Sequence, residues 1–426
     1  MYLDEIMAAQ KKGEARGITS VCSAHRYVIQ QTLKRFEFPL LEATCNQVNQ
    51  FGGYTGMTPS DFVGYVRGIA DENDTSFEKI TFGGDHLGPH VWQTETAASA
   101  IGKSKELIRA YVRAGFIKLH LDCSMRLADD PPGALAPDVI ADRAAQLAKV
   151  AEAYGGDSLR YVIGTEVPIP GGAIDLEAVL HVTRVEDAQQ AVEATRAAFR
   201  RAGLESAWER VIAVVVQPGV EFGDDNVLDY DPERASALTG FIEREPHLVY
   251  EAHSTDYQTR EALSKLVYDH FAVLKVGPRL TFALREAVFA LAFMESELFT
   301  GARAGERSNI LEALDSAMLR APEHWRRHYR GSPAAKEFAR KFSLSDRIRY
   351  YWQDAQVQAA FHTLMENLSR KPLPLSLLSQ FAPLEYVPVR DGVLSNTPHA
   401  IILNRVGAAL DDYAFACSGD QFPDHD

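Results

Sequence analysis

Two histidines and several carboxylates of the sequence are residue types that hold a metal ion or move protons. Asp85 and His86 are adjacent in GGDHLGPH, and Glu251 precedes His253 by two positions in EAHSTDY. A metal held by histidine nitrogens and carboxylate oxygens can polarise a carbonyl group or stabilise an enediolate. Asp85 is a candidate acid–base group. The alternative, which stays open, is that both histidines only satisfy hydrogen bonds in a polar barrel mouth.

Further acids and a lysine extend this set. Glu166 in GTEVPIPGG and Asp122 in HLDCSM can supply a ligand oxygen, and Glu166 can also transfer a proton. Lys275 is expected within a strand, where it can act as a Schiff-base amine or pair with an acid, the more ordinary role. The predicted catalytic residues are Asp85, Glu166, Asp122 and Lys275, and the predicted metal ligands are His86, His253 and Glu251.

Other polar residues are candidates for binding a substrate or its phosphate. Glycine-rich GGD, PGG and VGPR can bring backbone amides close to a phosphate, although ordinary tight turns are the alternative. The predicted substrate- or phosphate-binding residues are His25, Asn46, Gln47, Gln217, Ser254 and Arg279.

Short apolar segments, many rich in β-branched residues, precede or contain these candidates. Near-continuous apolar runs are typical of strands buried on both faces of a parallel sheet. Because active sites of parallel barrels lie at the C-terminal ends of the strands, we expect the candidates to meet at one mouth. We predict strands at Ile18–Cys22, Pro39–Ala43, Lys79–Phe82, Phe116–Leu121, Tyr161–Gly164, Val211–Val216, Leu248–Tyr250 and Phe271–Val276.

Helical patterns alternate with these strands through about residue 280. Thr58-Pro59 and Asp231-Pro232 each place a capping residue before a proline at the first helical position. The alternation predicts an α/β protein, and eight repeats favour a closed (β/α)₈ TIM barrel over an open doubly wound sheet. We predict these helices at Tyr27–Phe36, Pro59–Asn73, Thr94–Ala114, Pro137–Tyr154, Val185–Ala202, Pro232–Glu245 and Thr259–Asp269.

Helical segments dominate after Leu280. We therefore predict a barrel over residues 1–300 and a C-terminal helical extension over residues 301–426 that packs on the barrel. The later helices are expected at Phe282–Leu298, Ile310–Leu319, Ala334–Phe342, Ala355–Leu368 and Leu375–Phe381.

Composition and motifs exclude several classes of protein. The formal net charge is −14 and no basic stripe is present, which argues against a nucleic-acid partner. No run reaches the roughly 18 apolar residues of a membrane span, and the sequence contains neither a GxxxxGK[ST] nor a GxGxxG nucleotide motif. We expect a cytoplasmic protein, because its four cysteines are scattered without a CxxC pair and no signal peptide is evident. A homo-oligomer is left open.

Longer motifs resemble one family. The resemblance rests on CSAH, EATCNQVNQFGGYTGMTP, TFGGDHLGPH, KLHLDCSM, GTEVPIPGG, EAHSTDYQT and LKVGPRLTFALREA, and it runs from about Gly17 to the C-terminal region. These motifs are similar to the class II tagatose-bisphosphate aldolase accessory (non-catalytic) subunit family. Members have also carried a tagatose-6-phosphate kinase label, to which the missing nucleotide motif gives no support.

The resemblance implies a barrel related to class II aldolases and a chain that supports the activity and stability of a separate catalytic aldolase subunit. The pathway implied is the catabolism of tagatose, galactitol or N-acetylgalactosamine-type sugars. Catalytic relatives place an Asp-His pair after a barrel strand, which Asp85-His86 matches, and His253 matches their last zinc histidine. Their middle zinc histidine falls near QPGVEFG, where this chain has Gln217 and Glu221.

Two further hypotheses follow. In the second hypothesis, the chain is itself a metal-dependent aldolase or epimerase that acts on a ketohexose or its phosphate. Its cofactor is a divalent metal, and zinc is the expected ion. A kinase is the third hypothesis. The expected partners are a catalytic class II aldolase subunit and a sugar or sugar phosphate.

Overall fold

Eight parallel strands form a closed barrel in the computed structural model of the chain, which describes residues 1–164 and 181–419. The barrel strands are β1 (Ile18–Cys22), β2 (Leu40–Thr44), β3 (Thr81–Leu87), β4 (Lys118–Leu121), β5 (Arg160–Gly164), β6 (Val211–Val215), β9 (Val249–Ala252) and β10 (Phe271–Val276). Around the barrel their order is β1, β10, β9, β6, β5, β4, β3 and β2. A hairpin of β7 (Glu221–Phe222) and β8 (Val227–Leu228) forms a separate sheet. The closed barrel confirms the predicted fold class and excludes the open sheet.

Helices alternate with the barrel strands, as the sequence pattern predicts. The side chain of Thr58 accepts the Asp61 N–H, and Asp231 accepts the Glu233 N–H, so both predicted capping residues begin a helix. These helices are α1 (Tyr2–Lys11), α2 (Arg26–Arg35), α3 (Pro59–Glu72), α4 (Ala97–Arg113), α5 (Pro137–Gly155), α6 (Val185–Arg201), α7 (Glu205–Trp208), α8 (Pro232–Ile242) and α9 (Arg260–Tyr268).

Further helices follow β10. They are α10 (Pro278–Leu298), α11 (Ile310–Arg320), α12 (Pro333–Phe342), α13 (Ala355–Ser369), α14 (Leu375–Phe381), α15 (Pro383–Arg390) and α16 (Pro398–Cys417). Helix α16 packs against α2, α9 and α10, and the carbonyl of Cys417 accepts the Gly17 N–H at 3.1 Å, just before β1. The last helix therefore forms part of the barrel wall. We did not predict α16 from the sequence, because apolar residues lie around most of its surface and leave no clear amphipathic stripe.

A continuous hydrophobic core joins the barrel to the later helices, since Val21, Leu280 and Leu410 belong to the same buried cluster. The division into residues 1–300 and 301–426 stays a prediction. None of the described helices combines the length and apolar character that crossing a bilayer requires.

The barrel interior is apolar at one end and charged at the other. Leu3 and Ile6 of α1 pack with inward residues at the N-terminal strand ends, such as Leu40 and Val249, and close this end of the barrel. Because strand side chains alternate, Glu42 and Glu251, two positions further along, face the same interior. The buried glutamates thus lie on the C-terminal side of this apolar layer.

Leu410→Ala tests whether α16 belongs to the cooperative core. Leu410 is fully buried, so we expect the free energy of unfolding to fall by about 2–5 kcal/mol in urea titrations. The control Leu319→Ala, at a side chain that is 54% exposed, should change it by about 0.5 kcal/mol or less. A separate early transition for Leu410→Ala, with the main transition unchanged, would contradict a shared core.

Candidate functional site

A bulge in β3 brings two consecutive residues to the barrel interior. Gly84 pairs with Leu119 and Leu87 with Leu121, so three steps along β3 match two along β4. His86, inside the bulge, has φ of +48°, a left-handed conformation that non-glycine residues adopt at a cost of about 1 kcal/mol or more. Neighbouring residues of a regular strand point to opposite faces. The bulge therefore allows both Asp85 and His86 to contact interior groups.

The glycine before this bulge makes room for a carboxylate. A Cβ atom at Gly83 would lie 2.5 Å from Glu42 Oε1, so only glycine leaves space for the Glu42 side chain inside the barrel. Packing against the Glu42 side chain therefore explains the glycine at position 83 of the GGDH segment.

Asp85 is held by groups from two other strands and by the next residue of its own strand. Its Oδ1 lies 2.9 Å from His120 Nδ1, its Oδ2 forms an ion pair with Lys275, and His86 Nε2 lies 3.6 Å from Oδ2. Burial alone would raise the pKa of Asp85, but His86, Lys275 and the His120 hydrogen bond hold it well below its ordinary value. Asp85 is therefore a firmly ionised carboxylate.

Asp122 orients His86. Its Oδ2 lies 2.8 Å from His86 Nδ1, while its Oδ1 accepts the N–H and O–H of Ser124 at 3.1 and 2.6 Å. Burial lowers the pKa of His86 despite the nearby acids, so the ring is neutral at pH 7. A carboxylate bound to one ring nitrogen leaves the other available as a ligand.

A buried lysine lies between two glutamates one layer deeper. Lys118 Nζ is 2.5 Å from Glu42 Oε1 and 2.6 Å from Glu251 Oε2, and none of the three side chains is exposed. Burial opposes the charge on Lys118, yet Glu251 and Glu42 outweigh it and raise the pKa of the ammonium group. The second oxygen of Glu251 lies 2.9 Å from His253 Nε2, which links this layer to the histidines.

Three imidazole rings form a triangle above this layer. The ring centroids of His86, His120 and His253 are 5.2 Å apart in every pair. His86 Nε2, His120 Nε2 and His253 Nδ1 are buried and make no hydrogen bond within the described residues. Buried polar atoms without a partner are rare and call for an explanation, such as an ion.

The same residues can hold a divalent metal. Asp85, His120, Glu251 and His253 each offer a ligand atom, and these atoms all lie within 4.8 Å of one another. Nitrogen and carboxylate oxygen together suit zinc and related ions. Burial lowers the pKa of His253 well below its ordinary value, which keeps this ring in the neutral form that binds metal.

A pocket of about 620 Å³, including the space open to solvent, lies over this cluster. His86, His253 and Lys275 form part of its lining, while Arg349 and Tyr350 reach it from the segment between α12 and α13. The other lining residues are Cys22, Thr44, Asn46, Gln47, Tyr54, Phe222, Ser254, Asp256, Gly277 and Pro278.

Comparison with known proteins agrees with this architecture. The family model described as D-tagatose-1,6-bisphosphate aldolase subunit GatZ/KbaZ-like matches residues 3–418. The chain belongs to this family. A crystal structure from Sinorhizobium meliloti 1021, named a probable tagatose 6 phosphate kinase, is 46% identical with a TM-score of 0.87 and covers 94% of this chain and 100% of its own.

More distant solved structures are similar to the GatZ/KbaZ-like chain at low identity. The fructose-bisphosphate aldolase of Campylobacter jejuni is 12% identical, covers 86% of this chain and 91% of its own, and has a TM-score of 0.41. The fructuronate-tagaturonate epimerase UxaE of Cohnella laeviribosi is 11% identical, covers 93% and 81%, and has a TM-score of 0.47.

Most of the predicted site residues of this family member lie together. Asp85, His86, Asp122, Glu251, His253 and Lys275 all belong to the buried cluster. Asn46, Gln47 and Ser254 line the pocket above it. His25 lines an adjoining pocket, and its Nδ1 also accepts the Tyr27 N–H and caps α2.

Two predicted residues, Arg279 and Gln217, lie away from this cluster, and a third falls outside the described residues. Arg279 pairs with Glu286 at 3.2 Å. The side-chain oxygen of Gln217 accepts the Gly219 N–H at 2.8 Å, and neither residue is among those lining the pocket. Glu166 lies outside the described residues. Their assignment as site residues stays a prediction.

We did not predict His120, Lys118, Glu42 or Arg349 from the sequence. Most of the predicted site residues follow a strand, whereas His120 and Lys118 lie within β4. Lys118, His120 and Asp122 are spaced by two and so share one face of the strand, and this alternation was the available signal. His120 of β4 thus supplies a third imidazole. The sequence has no histidine near Gln217, where the family resemblance would place one.

Lys118→Met tests the charged layer. Because removing the ammonium group leaves Glu42 and Glu251 buried without it, we expect the free energy of unfolding to fall by about 3–5 kcal/mol. Lys79→Met is the matched control, since Lys79 pairs with Glu37 at 2.7 Å on the surface, and it should cost about 1 kcal/mol or less. If urea denaturation gave the same loss of unfolding free energy for both variants, a buried and charged Lys118 would be contradicted.

Proposed function

We propose that the chain is the accessory subunit of a class II tagatose-bisphosphate aldolase and that it supports the activity and stability of a separate catalytic subunit. Its setting would be the cytoplasmic catabolism of tagatose, galactitol or N-acetylgalactosamine-type sugars. The family match over residues 3–418, to a family described as an aldolase subunit, is the observation that carries this proposal.

The electrostatics of the cluster support an accessory role. Lys275 is paired with Asp85, and Lys118 is shared by Glu42 and Glu251, so each of these carboxylates already contacts a lysine of the chain. A carboxylate whose pKa lies well below its ordinary value, as that of Asp85 does, accepts a proton poorly at neutral pH. Such a barrel is poorly suited to proton abstraction by Asp85.

The accessory proposal is tested by titrating the chain into a catalytic class II tagatose-bisphosphate aldolase. We expect aldol cleavage and the thermal half-life of the catalytic subunit to rise and to saturate at a fixed ratio of the two chains. Light scattering should detect the complex at the same ratio. The chain alone should cleave no tagatose 1,6-bisphosphate.

The controls are the chain after thermal unfolding and an unrelated protein at equal concentration, neither of which should raise activity. Absence of both a complex and any stimulation, tested with several catalytic subunits of this class, would contradict the accessory role.

A second candidate function is favoured by the unpartnered imidazole nitrogens. The chain would be a metal-dependent aldolase or epimerase acting on a ketohexose or ketohexose phosphate. Asp85, His120, Glu251 and His253 would hold the divalent ion, and His86 lies beside them. When bound, the metal would polarise the carbonyl group of the sugar. Asp122 would fix the His86 ring.

Equilibrium dialysis against Zn²⁺ followed by elemental analysis tests the metal centre. We expect about one ion per chain, and His253→Ala and His120→Ala should each weaken binding about 10-fold or more, since each removes a ligand. His362→Ala is the matched control, because the His362 side chain is 74% exposed, and it should bind as the unaltered chain does.

Turnover by the chain alone distinguishes the metal-dependent enzyme from the accessory subunit. A metal-dependent enzyme turns over tagatose phosphates without any partner and loses this turnover with a chelator. Turnover that survives complete removal of metal, or stoichiometric metal that remains after both His120→Ala and His253→Ala, would contradict the proposed centre.

A further inference from the structure

Arg349 is a pocket-lining guanidinium without a carboxylate partner. Its side chain donates to the backbone carbonyls of Ser345 and Asp346 and to the Tyr350 hydroxyl, the last at 2.9 Å. These bonds use three of the five N–H groups of a guanidinium. Among the ion pairs of the described residues, none joins Arg349 to an acid. Asp346 and Asp256 lie near enough to interact with it electrostatically, but Asp346 pairs with Arg285 and Asp256 accepts backbone N–H groups. Lys275, the other cation lining the pocket, is paired with Asp85.

Tyr350 is arranged as a hydrogen-bond donor beside Arg349. Its hydroxyl oxygen accepts N–H groups from Arg349 at 2.9 Å and Arg347 at 3.5 Å. Its ring stacks on His324 at 4.6 Å and meets Tyr54 edge-on at 4.7 Å. Because its acceptor positions face two cations, the O–H proton is left to be donated to another group.

The site where a barrel ordinarily binds phosphate is already taken. The backbone N–H groups of Gly277 and Arg279, at the N-terminus of α10, both donate to Asp256 Oδ1, at 3.0 and 2.8 Å. A helix N-terminus attracts an anion, and here the anion is the side chain of Asp256. A phosphate entering the pocket therefore needs a different cation, and Arg349 is the one available.

We propose that the pocket binds a small polyhydroxylated ligand with a terminal phosphate ester, and that Arg349 and Tyr350 bind the phosphate. The rest of the ligand then lies towards His86, His253 and Lys275, which line the same pocket. The anion-binding part of the site is supplied by the segment between α12 and α13, which lies after the barrel strands in sequence. This binding requires neither turnover nor a partner chain, so it is independent of which proposed function holds.

Isothermal titration calorimetry with D-tagatose 6-phosphate, D-tagatose and inorganic phosphate tests the proposal on the full chain. We expect tagatose 6-phosphate to bind at least about 10-fold more tightly than tagatose, because charge-assisted hydrogen bonds to the phosphate add to the sugar contacts. Arg349→Gln should weaken binding of tagatose 6-phosphate about 10- to 100-fold and change tagatose binding about twofold or less. Inorganic phosphate should compete with the sugar phosphate in the unaltered chain only.

Arg327→Gln is the matched control, because it removes the same charge from an exposed arginine of the same region and should leave the affinity unchanged. If Arg349→Gln does not fold, as judged by circular dichroism, Tyr350→Phe replaces it and should weaken phosphate-ester binding several-fold without changing tagatose binding. Equal affinities of tagatose and its phosphate, or an Arg349→Gln or Tyr350→Phe chain that binds the phosphate ester as tightly as the unaltered chain, would overturn the proposal.

Discussion

The structure depends on compensating charges that are buried inside a closed barrel. Four carboxylates, on Glu42, Asp85, Asp122 and Glu251, share this interior with the ammonium groups of Lys118 and Lys275. An isolated charge in such a place would lose its hydration and destabilise the fold by several kcal/mol. Every ionised side chain of the cluster must therefore be held against an opposite charge or a hydrogen-bond partner, which restricts the backbone that presents them.

The irregular features of the strands follow from that restriction. The bulge at Asp85-His86 lets two adjacent residues reach interior partners, and the left-handed conformation of His86 is the local cost. Gly83 lacks a side chain where the Glu42 carboxylate lies. Helix α1 excludes water from the apolar end of the barrel, so the polar groups open only towards the pocket.

Much of this fold could be predicted from the sequence, because buried parallel strands give continuous apolar runs and the C-terminal strand ends of a barrel converge. The same rule brought Asp85, His86, Glu251 and His253 together. It did not identify His120, because this residue lies inside a strand, and it gave no register from which a bulge could be deduced. Arg349 and α16 depend on how segments distant in sequence pack together, which local patterns do not encode.

The two ends of the pocket differ in how their charge is compensated. At the barrel end, two lysines offset part of the charge of four carboxylates, and the buried atoms without hydrogen-bond partners include imidazole nitrogens, which suit a metal or a hydroxyl. At the other end Asp256 satisfies the helix N-terminus, and Arg349 forms no direct ion pair among the described residues. A ligand that is neutral and oxygen-rich at one end and anionic at the other complements both. This asymmetry explains why residues after the barrel strands contribute to the pocket: the strands supply the polar cluster, and the later segment supplies the cation.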